Sequence, residues 1–388
     1  MSNPSMMIVA GESSGDLYGA ELSLALRERL GSLELFGCGG EAMRGAGVRT
    51  IIDARQITMM GITEVVGGLP RVYRAFQALL GEAEQRRPQL AVLIDFPDFN
   101  LRLARRLKKR GIPVVYFVSP QVWAWRKGRL KQLKASISKM LCIFDFEEAI
   151  YRDAVIPVEF VGHPLVDQVR PRFTREEFLR GLGLVPATPT VALLPGSRPN
   201  EVRRFLPTLL EAANRLALTR AIQFVVAVAP TVDASWVESI LLEHYTGRAT
   251  VIRPAVDATY DVLAHSELAV VASGTATIET ALCERPMVVV YRLSPLTWVL
   301  GRTLVHLPYY SMVNILAGKQ VVPELIQGDF TSAAVSARVE YLLDHPQARQ
   351  EIVQELRAIK DRLGPAGAIG RAADAVVGVL RSGAKNKD

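Results

Sequence analysis

Residues 267–292 read ELAVVASGTATIETALCERPMVVVYR, and this stretch restricts the fold more than any other. Leu268 to Ala272 is a continuous apolar run with the length of a strand buried on both faces. Ser273-Gly274-Thr275 breaks the run, Ala276 to Leu282 reads as a helix, and Met287 to Tyr291 follows Pro286 as a second buried strand. Two such strands joined through a helix make a parallel α/β unit, whose ligands bind at the carboxyl ends of the strands. The helix start offers unpaired N–H groups and a partial positive charge to an anion. Gly274 allows close approach, Thr275 and Thr277 carry hydroxyls, and Glu279, about a turn inside, is able to accept from a ribose hydroxyl. A plain capping turn with an exposed glutamate is the competing interpretation.

The same pattern of apolar strand, polar turn and helix recurs along the chain. Met6 to Ala10 leads into GESSGD, with Gly11, Ser13 and Gly15, and then into an amphipathic segment to Leu30. GCGGEA at 37–42 matches a dinucleotide-type glycine pattern, but no sustained helix and no acidic residue at the required distance follow it. Leu90 to Asp95 is a strand that ends in DFPDFN; Asp98 reads as a helix cap, whereas Asp95 at the end of an apolar run points to a catalytic role. Pro113 to Val118 ends in SPQVWAWR, where Trp123 either packs in the core or lines a sugar or lipid pocket. IFDFEE at 143–148 reads as a strand end and an acidic helix start, with a faint likeness to an acidic triplet that holds a metal–diphosphate pair as the alternative, and His163 as a hinge histidine, a ligand or an acid/base. Val191 to Leu194 ends in PGSR, and Ser197 with Arg198 makes a phosphate-binding candidate. Three helices, 331–344, 346–363 and 369–380, close the pattern, with a disordered tail expected from about 382.

At 388 residues and 49% hydrophobic composition there is material for two cores. Cys38, Cys142 and Cys283 have no regular spacing, which argues against a disulfide framework or zinc site and suggests a reducing compartment. No signal peptide is apparent, and no apolar run approaches the ~18 residues of a spanning helix. The net charge of +7 is concentrated at residues 102–110 and 126–139, without a nucleic-acid recognition motif. Residues 59–80 place Val66, Leu69, Val72 and Phe76 at helical spacing beside Arg71 and Arg74. That is either a core-facing helix or a segment that lays its apolar side on a bilayer.

Taken together, AGESSGD (10–16), DFPDFN (95–100), SPQVWAWR (119–126), GHPLVD (162–167), LLPGSR (193–198), ASGTATIETAL (272–282), MVVVYR (287–292) and NILAG with VVPELIQ (314–327) resemble the lipid-A-disaccharide synthase family. One departure is Val313, where relatives usually carry proline. The resemblance implies an α/β fold of the GT-B architecture, two Rossmann-like domains facing each other across a cleft, with C-terminal helices. The expected domains are 1–170 for the acceptor and membrane, 171–345 for the UDP-sugar, and 346–388 as helices packing back on the first. The implied reaction joins UDP-2,3-diacylglucosamine to 2,3-diacylglucosamine 1-phosphate with inversion, without metal or other cofactor, at the cytoplasmic side of an anionic inner-membrane surface. It implies Asp95 as base, and Ser197, Arg198, Ser273, Gly274, Thr275, Glu279 and Asn314 on the nucleotide-sugar. Gly11, Ser13, Gly15, Asp98 and Trp123 would shape the acceptor side, with Val66, Leu69, Arg71, Val72, Arg74 and Phe76 toward the membrane. No nucleic-acid partner is expected, and a homodimer is left open. Another GT-B enzyme, such as a UDP-GlcNAc 2-epimerase or an undecaprenyl-linked GlcNAc transferase, and a non-enzymatic nucleotide-sugar binding module are the alternatives.

Overall fold

The computed structural model describes residues 4–58, 65–120, 122, 128–244, 251–293, 298 and 308–385. The chain divides into two units, the first built from 1–164 with 363–388 and the second from 165–362. The first holds Ser5–Ala10 (β1), Glu34–Gly39 (β2), Arg49–Asp53 (β3), Leu90–Ile94 (β4), Val114–Phe117 (β5), Lys139–Cys142 (β6) and Val158–Phe160 (β7). They form one parallel sheet in the order β3-β2-β1-β4-β5-β6-β7. The second holds Thr190–Leu194 (β8), Gln223–Val228 (β9), Val251–Val256 (β10), Leu268–Ala272 (β11), Met287–Tyr291 (β12) and Glu324–Ile326 (β13). Their parallel order is β10-β9-β8-β11-β12-β13.

Both sheets therefore reverse their winding once, between β1 and β4 and between β8 and β11. These four strands are the continuous apolar runs of the sequence, and nearly every residue in them is buried. Register brings their ends together: Ala10 lies beside Ile94, and Leu194 beside Val271. At such a reversal the two outgoing connections leave in opposite directions, and a crevice opens at the carboxyl edge. The loops that begin at Gly11 and Asp95 flank the first crevice, and those at Pro195 and Ser273 flank the second.

The unit boundaries differ from the expected ones. The first break falls at Pro164/Leu165, not after 170. Helix Pro346–Arg362 stays with the second unit because its buried face, Ile352, Leu356 and Ile359, packs on helices 275–282, 312–317 and 332–344. Only helix Ala368–Lys385 belongs to the first unit, where it packs against helix Ser13–Leu30. Arg29 Nε donates to Asp374 Oδ1 at 2.6 Å, and Arg371 Nε to the Val161 carbonyl at 2.8 Å. This helix runs through 382–385, where a disordered tail was expected.

The apolar pattern of 59–80 resolves into helix Val65–Arg86. Val72 and Phe76, expected toward a membrane, pack instead on the core with Leu79 and Leu80, and Phe76 meets the edge of Phe99 at 5.5 Å. The helix period turns them inward and leaves Arg71, Tyr73 and Arg74 exposed. The expectations for the side chains of Val66 and Leu69, and for Trp123, fall outside the described residues.

Candidate active site

The turn after β4 is the most constrained point of the first unit. Asp95 and Phe96 both adopt left-handed backbone conformations, at φ 46° and 49°. Such a conformation costs a non-glycine residue about 1–2 kcal/mol, and two in succession persist only where neighbours enforce them. Here they do. The Asp95 N–H donates to the Phe117 carbonyl at 2.9 Å, and the Asp95 carbonyl accepts from Tyr116 Oη at 2.6 Å and Asn100 Nδ2 at 2.8 Å. Phe96 packs on Phe99 at 5.5 Å. Its ring also covers Gly11, where a Cβ would lie 2.4 Å from ring carbons, so the glycine after β1 is required by close approach.

This framework leaves the half-buried Asp95 carboxyl at the edge of the first crevice. Its pKa is pushed up to about 7, first by burial and then by the charge of Glu12, against a hydrogen bond from the Phe96 N–H. A carboxylate tuned to that range takes a proton from an alcohol near neutrality more readily than an ordinary aspartate. Glu12, a member of the polar turn after β1 that holds Gly11, Ser13 and Gly15, thus acts on Asp95 through its charge. Asp98, expected on the acceptor side, is exposed and forms a 2.6 Å ion pair with buried Arg129. That pair fixes the start of helix Pro97–Lys109 to helix Arg129–Ser136. Gly15 lies against Ala10 and Ile94, and Ser13 is exposed at the start of its helix.

Two other residues prove structural. His163 is buried, with its pKa lowered to about 3, so it is neutral at physiological pH and packs on Phe144 at 5.4 Å. At the glycine-rich turn of 37–42, Asp16 accepts from the N–H groups of Gly40, Ala42 and Met43 at 2.6, 3.0 and 3.2 Å. The protein's own carboxylate thus takes the place that a dinucleotide phosphate would occupy.

In the second unit Gly274 caps helix Thr275–Leu282 at φ 154°, ψ −157°, a region open to glycine alone. Among the described residues no atom beyond its chain neighbours lies within 4 Å of where its Cβ would stand, and Gly274 is exposed. Thr275 is exposed, whereas the Thr277 hydroxyl donates to the Gly274 carbonyl at 2.8 Å and is not available to donate elsewhere. Glu279 is pushed up to about 7 by burial, which the Tyr260 hydroxyl at 3.4 Å partly opposes. Across the crevice, Arg198 caps helix Pro199–Ala217 with its side chain 63% exposed and 3.6 Å from Glu201. The Ser197 N–H donates to Glu201 Oε2 at 3.2 Å, and its carbonyl accepts from Thr231 Oγ1 at 2.6 Å.

Two residues expected on the nucleotide are engaged elsewhere. The Ser273 hydroxyl donates to the Tyr310 carbonyl at 2.8 Å. Asn314 is fully buried, and its amide is saturated: Nδ2 donates to the Val322 carbonyl and Glu324 Oε1, and Oδ1 accepts from the N–H groups of Val321 and Val322. Asn314 therefore pins the 321–324 segment and has no capacity left for a ligand. Glu324 completes this network by accepting from the N–H groups of Tyr310 and Ser311. Val313, in place of proline, is buried in the first turn of helix Met312–Ala317, which Ser311 caps.

Residues 6–366 match the family model described as lipid-A-disaccharide synthetase. A lipid-A-disaccharide synthase of Myxococcus xanthus strain DK1622 is 44% identical over 394 residues, spanning 99% of this chain and 100% of that protein. One from Koribacter versatilis strain Ellin345 is 45% identical over 387 residues, with 99% of each covered. The chain belongs to the lipid-A-disaccharide synthase family. Membership makes it a glycosyltransferase of lipid A biosynthesis, acting on a UDP-sugar and lipid substrates. Among solved structures, a UDP-GlcNAc 2-epimerase from Neisseria meningitidis bound to UDP-GlcNAc superposes with TM-score 0.65 at 11% identity, covering 97% of this chain and 100% of that one. A calicheamicin glycosyltransferase gives 0.61 at 15% identity, covering 98% and 99%. At these identities the likeness carries the fold, two Rossmann-like units of the GT-B class. No described helix is long and apolar enough to cross a membrane.

Proposed function

We propose that the chain joins UDP-2,3-diacylglucosamine to 2,3-diacylglucosamine 1-phosphate, with Asp95 as the base. The observation that carries this reading is the Asp95 turn: a strained, over-determined loop at a sheet reversal that holds a carboxyl near pKa 7. The Asp95 carboxylate accepts the proton of the acceptor's 6-hydroxyl as that oxygen forms its bond to C1 of the donor sugar. The bond from C1 to the diphosphate breaks, and UDP leaves with the electron pair. An α-linked donor that gives a β-1,6 disaccharide requires one in-line displacement, without a covalent enzyme intermediate.

The second unit is assigned the donor. The exposed helix start at Gly274 and Thr275, with Arg198 and the Ser197 turn, meets the diphosphate charge that grows as UDP departs. Glu279 accepts from the ribose. Gly11, Ser13 and Gly15 shape the acceptor side of the first unit. This charge stabilisation requires no metal, and we propose that turnover is metal-independent. Acyl chains held in a bilayer make a peripheral, inner-membrane location the matching one, with Arg71 and Arg74 toward anionic lipid.

The test is a product assay in mild detergent with chelator, read by mass. A tetra-acyl disaccharide phosphate with released UDP is expected, with activity falling as pH drops below about 7. UDP binding without disaccharide would remove the acceptor assignment.

A further inference from the structure

A cavity of about 540 Å³ lies in the second unit, lined among others by Glu267, Glu284, Arg285, Arg349, Gln350 and Arg357. Glu267 directly precedes β11 and Pro286 directly precedes β12, so the cavity sits at the amino ends of these strands. The Ser273–Thr275 turn stands at the opposite, carboxyl end of β11. The cavity is therefore separate from the donor crevice.

Its acids are already neutralised. Glu267 is held by Arg175 at 2.8 Å, and Glu284 by Arg357 at 2.7 Å and Lys360 at 3.2 Å. Arg285 and Arg349 make no direct ion pair among the described residues, although Arg285 lies in the field of Glu267 and Glu284 and Arg349 in that of Asp344. Among the described residues each donates only to a backbone carbonyl, Arg285 Nη2 to Ala264 at 3.1 Å and Arg349 Nη1 to Leu343 at 3.1 Å. Arg285 Nε is buried with no acceptor. That N–H is out of reach of a ligand, but a guanidinium desolvated to this degree is stabilised by an anion in the cavity it lines. Helix Pro346–Arg362 adds the positive end of its dipole, since Pro346, Arg349 and Gln350 of its first turns line the same wall.

We propose that this cavity binds a phosphate monoester, gripped through Arg285 and Arg349. A guanidinium fork matches phosphate geometry, and the volume exceeds the need of a bare phosphate and suits a small phosphorylated molecule. Helix Thr275–Leu282 ties the two places together. Its first residue stands at the donor crevice, and the chain leaving its last residue passes through Cys283 to Glu284 and Arg285 in the cavity wall. Occupancy of the cavity and nucleotide binding bias one short element from opposite ends. Each ligand should then change the affinity of the other by the same factor. This coupling rests on the donor assignment above; the binding itself does not.

The experiment is calorimetric titration of the full chain, saturated with UDP, with inorganic phosphate and separately with glucose 1-phosphate, at constant ionic strength. One saturable site is expected for at least one probe. A stronger response to glucose 1-phosphate identifies a sugar phosphate as the ligand type, and an equal response identifies free phosphate. Arg349→Gln should weaken binding about tenfold or more, the loss of one charge-assisted contact, and leave UDP affinity in the absence of phosphate unchanged. Arg285→Gln should do the same. Because Arg285 is the more buried and its variant is at risk of misfolding, Arg349→Gln with a parental melting curve is the decisive variant. Heats that do not saturate for either probe, or binding that Arg349→Gln leaves intact, would overturn the site. A bound probe that leaves UDP affinity unmoved would overturn the coupling alone.

Discussion

At the scale of single residues, the site is marked by a carboxyl kept in an environment that opposes its charge. The folded pKa of Asp95 lies above that of an unfolded aspartate, so the folded state holds the proton more tightly. The stabilisation is complete at low pH and is lost as pH rises from about 4 toward 7. Asp95→Asn should consequently lose turnover by about 10²–10⁴-fold while gaining about 1–3 kcal/mol of stability at pH 8, and the gain should vanish near pH 4. Denaturant melts at the two pH values, alongside the product assay, check both halves. Asn314 gives the contrary case. Removing its amide by Asn314→Ala strands buried N–H groups of Val321 and Val322 and should cost about 2–4 kcal/mol, seen as a lowered melting temperature with or without UDP. An acid at the end of an apolar strand is visible in sequence, which is why Asp95 was legible. The saturation of Asn314 was not, because its partners sit seven to ten residues away and become partners only when the 314–324 segment folds back on itself.

At the scale of elements, the strands and turns carried most of the legible information. An apolar run of five or six residues ending in Gly, Ser, Asp or Pro-Gly has few alternatives to a buried parallel strand, and the strands before Gly11, Asp95, Pro195 and Ser273 follow that rule. What the pattern did not disclose was which glycines serve close approach. Gly11→Ala places a methyl in the ring of Phe96 and should disturb the Asp95 turn. We expect kcat to fall about tenfold or more, as a general base loses its alignment, while UDP affinity stays at the parental value; equal losses in both would point to a global defect. Helix Thr275–Leu282 supports a further test. Ribose hydroxyls donating to Glu279 favour its ionised form, so UDP binding near pH 7 should release a proton and tighten as pH rises through about 7. Calorimetry in buffers of different ionisation enthalpy measures that release. The helix of residues 65–86 was ambiguous for a physical reason: a core-facing stripe and a bilayer-facing stripe have the same period.

For the molecule as a whole, sequence motifs placed two Rossmann-like units in the right order, because each carries its own set of strand ends. The unit boundaries were less legible, since the assignment of helices 346–362 and 368–385 depends on which surface accepts an amphipathic face, not on the face itself. The inward turn of Val72 and Phe76 leaves charge as the basis of the membrane attachment proposed for 70–80. Replacing Arg71 and Arg74 together by glutamine should weaken binding to phosphatidylglycerol vesicles by about tenfold or more, at about 1 kcal/mol per lost charge, and should leave the melting curve unchanged. Vesicle binding that persists at full strength would move the docking surface elsewhere. The return of helix Ala368–Lys385 to the first unit has a consequence for the order of events during synthesis. The ribosome delivers the second unit as one uninterrupted segment, which is complete as soon as residue 362 has emerged. The first unit, although translated earlier, lacks the helix that covers Ser13–Leu30 until residues 368–385 have emerged. The part made first is thus finished last, and its unfinished face stays exposed to chaperones and proteases for the time needed to translate some two hundred further residues.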